Sequence, residues 1–421
     1  MRRLALAACI LATSCAPRPT TSEGVAPGGW DDEKHAAGEV AEVSPPPEAA
    51  VSTEPRDFGS DVRVLYRVVA CAGDEPLPRN VNPAIVDTYC KDLEPKIAAY
   101  RRRYVSVAQP FLVKLPQTRP PERVVYPFSG GDLVTALTTY PDAREITTVS
   151  LELAGDPRRI GALRDDALSE SLMKLRFELE ELIAVDDYSK SETLKHTQRG
   201  DIPDELAFFL VGLAVHGYEP LSLRYFTVDA VGEIHYLSGT EIDSMEGSLA
   251  ERRKTTWIAP DFSEAFASSE ITFREIGDSS APVRVHRHIA ANLSNDGLRD
   301  SPGLLAHLSK KGDVAAMTKA ASYLLWLDAF SEIRDYLAKQ AVVTISDSTG
   351  IPADLAAAAG LSQRTYGTFT RSLLRENATH NAAMKKLWDT QPKRQLPFRY
   401  GYKDGSGHDH LMVTERAAPR G

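Results

Sequence analysis

The chain has 421 residues and a net charge of −9, with 43% hydrophobic and 25% charged residues. This composition is enough for one large hydrophobic core or two smaller ones. It argues against a nucleic-acid partner, because such proteins normally carry a basic face and this chain has only the short run Arg101–Arg103.

Residues 1–14 predict a signal peptide, because two arginines precede a short apolar run and then small residues. The run is too short to span a bilayer in the mature protein. Leu11–Cys15 resembles a bacterial lipobox, which predicts that Cys15 is lipidated and anchors the chain to a membrane. The alternative is an ordinary cleaved leader in which Cys15 has no role.

Residues 15–57 are rich in proline, alanine, glycine, serine, threonine and glutamate. A segment of this composition buries too little apolar surface to fold, so it predicts a disordered tether. We expect a single globular domain at 58–416 and a short disordered tail at 417–421. The expected location is the bacterial cell envelope, where the lipid-anchored chain would face the periplasm or the cell surface.

Two cysteines, Cys71 and Cys90, remain beyond the leader and the lipobox. A disulfide between them is the default outside the cytoplasm. By closing a short loop it would contribute about 3 kcal/mol to stability. A metal site is a poor alternative, because no Cys-x-x-Cys motif or nearby histidine accompanies the pair.

The first predicted elements lead into the start of an α/β domain. Val62–Ala70 is predicted as a strand by its β-branched and aromatic residues. Pro83–Val107 is predicted as largely helical, with Pro95 kinking or dividing it. Val124–Gly155 then reads as a buried strand, a Ser-Gly-Gly loop, a short helix and a second strand. That succession is typical of an α/β fold.

In later segments the apolar residues recur in some places at helical spacing and in others at strand spacing. Helices are predicted at 168–182, Asp204–Val215, Gly303–Leu308, Val314–Leu327, Ser331–Lys339 and Asn381–Trp388, and strands at Pro220–Asp229, Gly232–Ser238, Val283–Leu293, Ala341–Ser346, Phe398–Tyr402 and His410–Thr414. We therefore predict an α/β or α+β fold, in which a mixed sheet is flanked by helices. Its core could be a degenerate version of a nucleoside-binding one.

The glycine loop of the opening unit is the first candidate site. Backbone amides of Ser129, Gly130 and Gly131 could form an anion-binding nest at a helix N-terminus. Glu152 follows near the end of the second strand, where nucleoside-binding folds place a ribose-binding acid. Phosphate is disfavoured, because the loop lacks a P-loop lysine and Asp132 is placed to cap the helix. The alternatives are a plain strand-to-helix turn and a neutral, cationic or nucleoside-like ligand.

Three polar loops follow predicted strands, at Ser129–Asp132, Asn292–Gly297 and Asp347–Pro352. Because α/β folds bind ligands at strand ends, these loops would line one crevice if their strands are parallel neighbours. Lys319 and Tyr323 would share one face of a predicted helix. The candidates for ligand binding are Ser129, Gly130, Gly131, Asn295, Tyr323 and Arg334, and the candidates for catalysis are Asp132, Lys319 and Asp347. A structural role is the alternative for each residue.

Histidines occur in two alternating pairs, His286 with His288 and His408 with His410. Side chains two apart on a strand point to one face, so the pairs could bind a metal if their strands adjoin. No third-ligand motif accompanies them, and half-buried structural histidines are the alternative. We therefore predict no metal and no cofactor.

Several segments together resemble an uncharacterised family of bacterial proteins, many of them lipoproteins. The segments are Tyr126–Asp132, Asn292–Leu298, Lys319–Leu325, Phe330–Arg334, Asp347–Pro352 and Leu396–Tyr402. The resemblance spans most of the chain and implies an envelope location. It implies no reaction, because no activity is established for the family. The opening unit is also similar to nucleoside-binding folds, although the acidic first-strand residue typical of methyltransferases is absent.

Two hypotheses about function follow. The first is a binding or assembly module at the envelope, whose partner is a small molecule or an envelope protein; it predicts an exposed apolar patch. The second is an enzyme acting in the crevice, on a degenerate nucleoside-binding or methyltransferase-like scaffold. The enzyme hypothesis requires Ser129, Asn295, Lys319, Arg334 and Asp347 to share one cleft.

Overall fold

The computed structural model describes residues 53–180, 182–183, 202–254, 263–369, 378–401 and 409–416. These residues all belong to one unit, Val51–Gly421. The predictions for residues 1–14, Cys15, most of the tether, His408 and the tail at 417–421 lie outside the described residues.

Twelve α-helices are found in the described part of the chain. They are α1 Gly59–Ala70, α2 Pro83–Tyr100, α3 Ser106–Leu112, α4 Leu133–Thr139, α5 Asp165–Glu180, α6 Asp204–Val215, α7 Gly239–Arg253, α8 Asn295–Asp300, α9 Gly303–Lys310, α10 Ser331–Gln340, α11 Ala353–Ala358 and α12 Ala378–Thr390.

The strands that the structure describes form one ten-stranded sheet. They are β1 Arg123–Pro127, β2 Glu145–Ser150, β3 Tyr218–Val228, β4 Ile234–Tyr236, β5 Ser268–Glu275, β6 Arg284–Ala290, β7 Val314–Thr318, β8 Ala341–Ser346, β9 Leu361–Gly367 and β10 His410–Arg416. Their spatial order is β4-β3-β5-β6-β2-β1-β7-β8-β10-β9. The predicted α/β fold with a mixed sheet and flanking helices is confirmed.

The five central strands β6, β2, β1, β7 and β8 are mutually parallel, so their carboxyl ends lie at one edge of the sheet. From β1 the chain proceeds outward to β2 and β6 on one side, and later to β7 and β8 on the other. The order therefore reverses between β1 and β7, which is the topological switch point where doubly wound folds hold their ligands. Strand β10 lies antiparallel between β8 and β9, and β5, β3 and β4 extend the opposite side as antiparallel strands.

Helices cover both faces of the central strands. Successive residues of a strand therefore belong to two different hydrophobic cores. Val124 of β1 belongs to the core shared with α1–α6, whereas Val125 belongs to the core shared with α8–α12. Ala315 and Ala316 of β7 divide in the same way. This alternation is expected for parallel strands with helices on both faces.

Three predicted elements are wrong. Val62–Ala70 is part of α1, because its buried residues recur at helical spacing; its valines are a β-branched signal that this packing overrides. Val314–Leu327 is not one helix: β7 ends at Thr318 and a 3-10 turn follows at Ala321–Trp326. Phe398–Tyr402 is not a strand in its described residues, and only Tyr400 forms an isolated bridge, to Asp409.

The predicted disulfide between Cys71 and Cys90 is present, and the two Cα atoms are 5.4 Å apart. It joins the end of α1 to α2. In the described residues, none of the helices combines the length and the apolar character that a membrane crossing requires.

Candidate functional site

The switch point between β1 and β7 is occupied by a buried carboxylate, that of Asp132. One carboxylate oxygen of Asp132 accepts a hydrogen bond from the Thr135 amide at 3.1 Å, which caps α4 as the sequence predicts. The other oxygen accepts the Tyr126 hydroxyl at 3.1 Å and lies 3.6 Å from the Lys319 ammonium group. Burial raises the pKa of Asp132, and the charge of Lys319 opposes that rise.

Lys319 follows the last residue of β7 and reaches across to β1. Its ammonium group donates to the Thr135 hydroxyl at 3.3 Å and lies 5.5 Å from the centre of the Tyr400 ring. Lys319 and Asp132 are each only 1% exposed. The space between the carboxyl ends of β1 and β7 is therefore filled by an ion pair of the protein itself.

Asp347 follows β8 and fixes the loop beside this pair. Its carboxylate accepts hydrogen bonds from the Ala320 amide at 2.9 Å and the Thr349 amide at 2.8 Å. Ala320 has a φ of +56°, a left-handed conformation that is unfavourable for a residue with a Cβ atom. The Asp347 bond and a bond from the Thr349 hydroxyl to the Ala320 carbonyl hold Ala320 in that conformation.

Asn295 and Arg334 brace the segment that follows Ala320. The Asn295 side chain donates to the Asp328 carbonyl at 2.9 Å and accepts the Glu332 amide at 3.1 Å. Arg334 donates to the Leu325 carbonyl at 3.0 Å. Tyr323 is half-buried in the 3-10 turn, so Lys319 and Tyr323 do not share a helix face as predicted.

The residues named by the enzyme hypothesis thus form two groups. Lys319 and Asp347 belong to the buried cluster, whereas Asn295 and Arg334 bind carbonyl groups of the segment that follows Ala320. Ser129 is 3% exposed, and its amide donates to the Val149 carbonyl. The three polar loops do lie at the same edge of the sheet, but β2 separates the first two and β7 separates the first from the third.

Glu152, just after β2, is the contrasting carboxylate at this edge. It is 5% exposed, and within the described residues its carboxylate makes no hydrogen bond or salt bridge. Its backbone carbonyl accepts a hydrogen bond from His288 Nε2 at 2.8 Å, which fixes the chain at this point. The side chain is largely covered, but its carboxylate oxygens keep contact with solvent, so a ligand can reach them and replace that water.

The glycine loop borders Glu152 from the side of β1. The amides of Gly130 and Gly131 donate no hydrogen bond to any described residue. Gly130 has a φ of +50°, and a Cβ atom on Gly131 would lie only 2.7 Å from the Phe208 side chain of α6. Close packing against α6 therefore explains Gly131, while the two amides remain available. Leu151, exposed by 68%, lies at the same strand end.

His286 and His288 do not adjoin His410, the member of the second pair that the structure describes. His286 and His288 point to one face, as predicted, where both lie near Thr148 and Phe209. Burial lowers the pKa of His288 to about 4 and that of His286 well below its usual range. His410 lies on β10, and the four strands between β6 and β10 separate them by roughly 24 Å. Among the described residues, no group of three or more histidines, cysteines, aspartates or glutamates is placed to hold a metal.

Two exposed apolar residues lie on α5. Met173 is 57% exposed and Phe177 is 63% exposed, one helical turn apart. Met173 also lines a cleft of about 370 Å³ between α2 and α5.

Sequence reasoning missed the partners that seal the switch point. Tyr126, Thr135, Thr349 and Tyr400 complete the cluster around Asp132, Lys319 and Asp347. Tyr126, Thr349 and Tyr400 lie within segments that the sequence analysis had singled out, and this was the available signal. Comparisons of the chain with protein-family models, with curated proteins and with solved structures found no match.

Proposed function

We propose that this chain is a lipid-anchored protein of the bacterial cell envelope whose domain binds a small ligand with neighbouring hydroxyl groups. The ligand site is the edge formed by the ends of β1 and β2, which we call the diol edge: Gly130, Gly131, Leu151 and Glu152. The unpartnered carboxylate of Glu152 is the observation that carries the proposal.

A carboxylate suits this ligand class because its two oxygens can accept hydrogen bonds from two adjacent hydroxyl groups. Glu152 stands at the end of the second strand, where doubly wound folds bind the ribose of a nucleoside. The free amides of Gly130 and Gly131 can serve an acceptor group on the same ligand. Sugar rings of nucleosides and of envelope glycans both offer this diol.

Binding is favoured over catalysis by the state of Asp132, Lys319 and Asp347. These acid–base candidates are at most 1% exposed, and their polar atoms are bonded to one another or to the loops around them. A general acid or base has to come within hydrogen-bond reach of its substrate. In this arrangement the three residues instead build a rigid wall beside the ligand.

A methyltransferase-like enzyme is the second candidate, and the strand order favours it. Starting from β6, the order is third, second, first, fourth, fifth, seventh and sixth, with the seventh strand reversed. This order resembles that of S-adenosylmethionine-dependent methyltransferases. The ribose of that cofactor would present the same diol to Glu152.

Isothermal titration calorimetry on the full-length chain distinguishes the ligand sources. The titrants are adenosine, 2′-deoxyadenosine, S-adenosylhomocysteine and N-acetylglucosamine. We expect at least one diol-bearing titrant to bind, and Glu152→Gln to weaken it by about 10- to 100-fold, because a charge-assisted hydrogen bond is lost. Glu122→Gln, at the amino end of β1, is the matched control and should bind normally.

Three outcomes separate the candidates. Preference for adenosine over 2′-deoxyadenosine supports recognition of the diol, and equal affinity for the two contradicts it if adenosine is the ligand. S-adenosylhomocysteine binding much more tightly than adenosine would favour the methyltransferase. If none of the diol-bearing titrants binds, the diol edge is not a ligand site.

The envelope location has its own test, in Cys15→Ser. The substitution removes the proposed lipid attachment, so we expect the chain to leave the membrane fraction and to lose incorporation of labelled palmitate. If the fractionation and the labelling of Cys15→Ser match those of the unaltered chain, Cys15 is not lipidated.

A further inference from the structure

A second cleft lies at the same edge of the sheet, beyond β6. It encloses about 590 Å³ between the carboxyl ends of β3 and β6 and the start of α9, and we call it the β3–β6 cleft. Its accessible apolar lining includes the half-buried side chains Val228 and Met245 and the exposed Pro302. This volume falls within the range of small-molecule sites, roughly 300–1,000 Å³, and such sites are mostly apolar with a few polar groups.

The charged groups of the β3–β6 cleft all have one sign. Asp229, Glu264 and Asp300 line it and are exposed, and no lysine, arginine or histidine is among the described residues that line it. Asp229 accepts hydrogen bonds from the amides of Val231 and Glu233 within its own turn. Within the described part of the chain, the side chains of Glu264 and Asp300 make neither a hydrogen bond nor a salt bridge.

When only negatively charged groups line a partly apolar cavity, they raise the local concentration of cationic ligands, because the low-dielectric walls focus the electric field. We propose that the β3–β6 cleft is a binding site for a small organic cation that carries an apolar group. The apolar part packs against Val228, Met245 and Pro302, and the ammonium group lies between Glu264 and Asp300.

This site is independent of the diol edge. The β3–β6 cleft is bounded by the antiparallel strands that extend the sheet past β6, whereas the diol edge is formed at the ends of β1 and β2. Its ligand is recognised by positive charge and apolar surface, not by neighbouring hydroxyl groups. Failure of one site therefore leaves the other standing.

Calorimetry on the full-length chain tests the proposal with three probes. Phenethylammonium carries both features, 3-phenylpropionate reverses the charge, and ethylammonium lacks the ring. We expect phenethylammonium to bind at least about tenfold more tightly than either of the others. Its affinity should fall when NaCl is raised from about 0.1 M to about 1 M, since salt screens exposed charges.

Variants locate the binding. Glu264→Gln and Asp300→Asn should each weaken phenethylammonium by up to about fivefold, as for an exposed ion pair. Ser301→Trp, which places a large ring on an exposed residue of the cleft wall, should abolish binding. Glu275→Gln removes the same charge at the far end of β5 and should have no effect. Glu152→Gln should also leave phenethylammonium binding unchanged.

Each contrary result overturns the inference. Equal binding of phenethylammonium and 3-phenylpropionate would show that the carboxylates do not select the ligand. If Glu264→Gln and Glu275→Gln weaken phenethylammonium binding equally, the effect comes from the net charge of the protein and not from the cleft. If phenethylammonium does not bind at millimolar concentration, or if Ser301→Trp stays folded by circular dichroism and still binds it, the β3–β6 cleft is not its site.

Discussion

The two halves of this edge of the sheet, the switch point and the end of β2, place a largely covered carboxylate in opposite surroundings. At the switch point, Asp132 is 1% exposed and receives an amide, a hydroxyl and an ammonium group from the protein. Two strand positions away from β7, Glu152 is 5% exposed and its carboxylate bonds to none of the described residues. A partnered carboxylate holds loops together, whereas an unpartnered one is available to a ligand.

Replacement of Lys319 should cause the largest loss of unfolding free energy at the switch point, the sealed half of this edge. Lys319→Met leaves Asp132 as a buried charge without its counterion, and breaking a buried pair in this way costs about 3–5 kcal/mol. Because burial already raises the pKa of Asp132, protonation relieves the variant at low pH, and the loss should be smaller at pH 5 than at pH 8. Urea unfolding at both pH values measures it. An equal loss at pH 5 and pH 8 would mean that Asp132 is not the group left unpaired.

Low pH should destabilise the fold through His288, whose Nε2 donates a hydrogen bond to the backbone carbonyl of Glu152. Its pKa falls from 6.5 to about 4 on burial, so the unfolded chain binds a proton more readily than the folded one. The associated stability is complete above pH 6.5 and is lost as the pH falls towards 4, amounting to about 3 kcal/mol. We expect the unfolding free energy of His288→Gln to change less steeply over that interval. A slope identical to that of the unaltered chain would contradict the assignment.

A smaller effect is expected from Asp347→Asn, which tests how firmly the sealed half holds the loop at Ala320. The amide keeps one oxygen acceptor but turns an NH2 group towards a backbone amide, so one buried N–H loses its partner at a cost of about 2 kcal/mol. Guanidinium unfolding measures the loss. Ser331→Ala alters the neighbouring hydroxyl that receives the Asn295 side chain and should cost less. If the two variants lose equal stability, Asp347 is not the main constraint on this loop.

Much of the fold could be predicted, where local patterns and packing agree. The apolar run of β1, the cap at Asp132 and the strand at β2 predict the opening unit, and parallel strands place its loop at the edge with those of β6 and β8. Elements were predicted wrongly where the residue composition favoured one secondary structure and the packing favoured another. Helix α1 is rich in valine but packs with helical spacing, and β7 reads Val-Ala-Ala-Met-Thr, which suits a helix until its burial on both faces is known.

The candidate site was predictable in its residues but not in their roles. Asp132 and Asp347 were expected in loops at strand ends, whereas Lys319 was expected on a helix and instead follows β7 at the same edge. Which of them would meet depended on the order of β1 and β7 in the sheet, and no sequence spacing encodes that order. The ion pair between Asp132 and Lys319 links segments far apart in the chain, so only the structure reveals that the switch point is closed.

The most direct test compares two matched substitutions, Asp132→Asn and Glu152→Gln, by urea unfolding at pH 7. Each replaces one buried carboxylate with an amide of the same shape. We predict that Asp132→Asn loses about 3 kcal/mol or more, because Lys319 remains buried and charged. Glu152→Gln should change the stability by no more than about 0.5 kcal/mol, because its solvated carboxylate bonds to none of the described residues. Similar losses in both variants would contradict the distinction between a sealed switch point and an open diol edge.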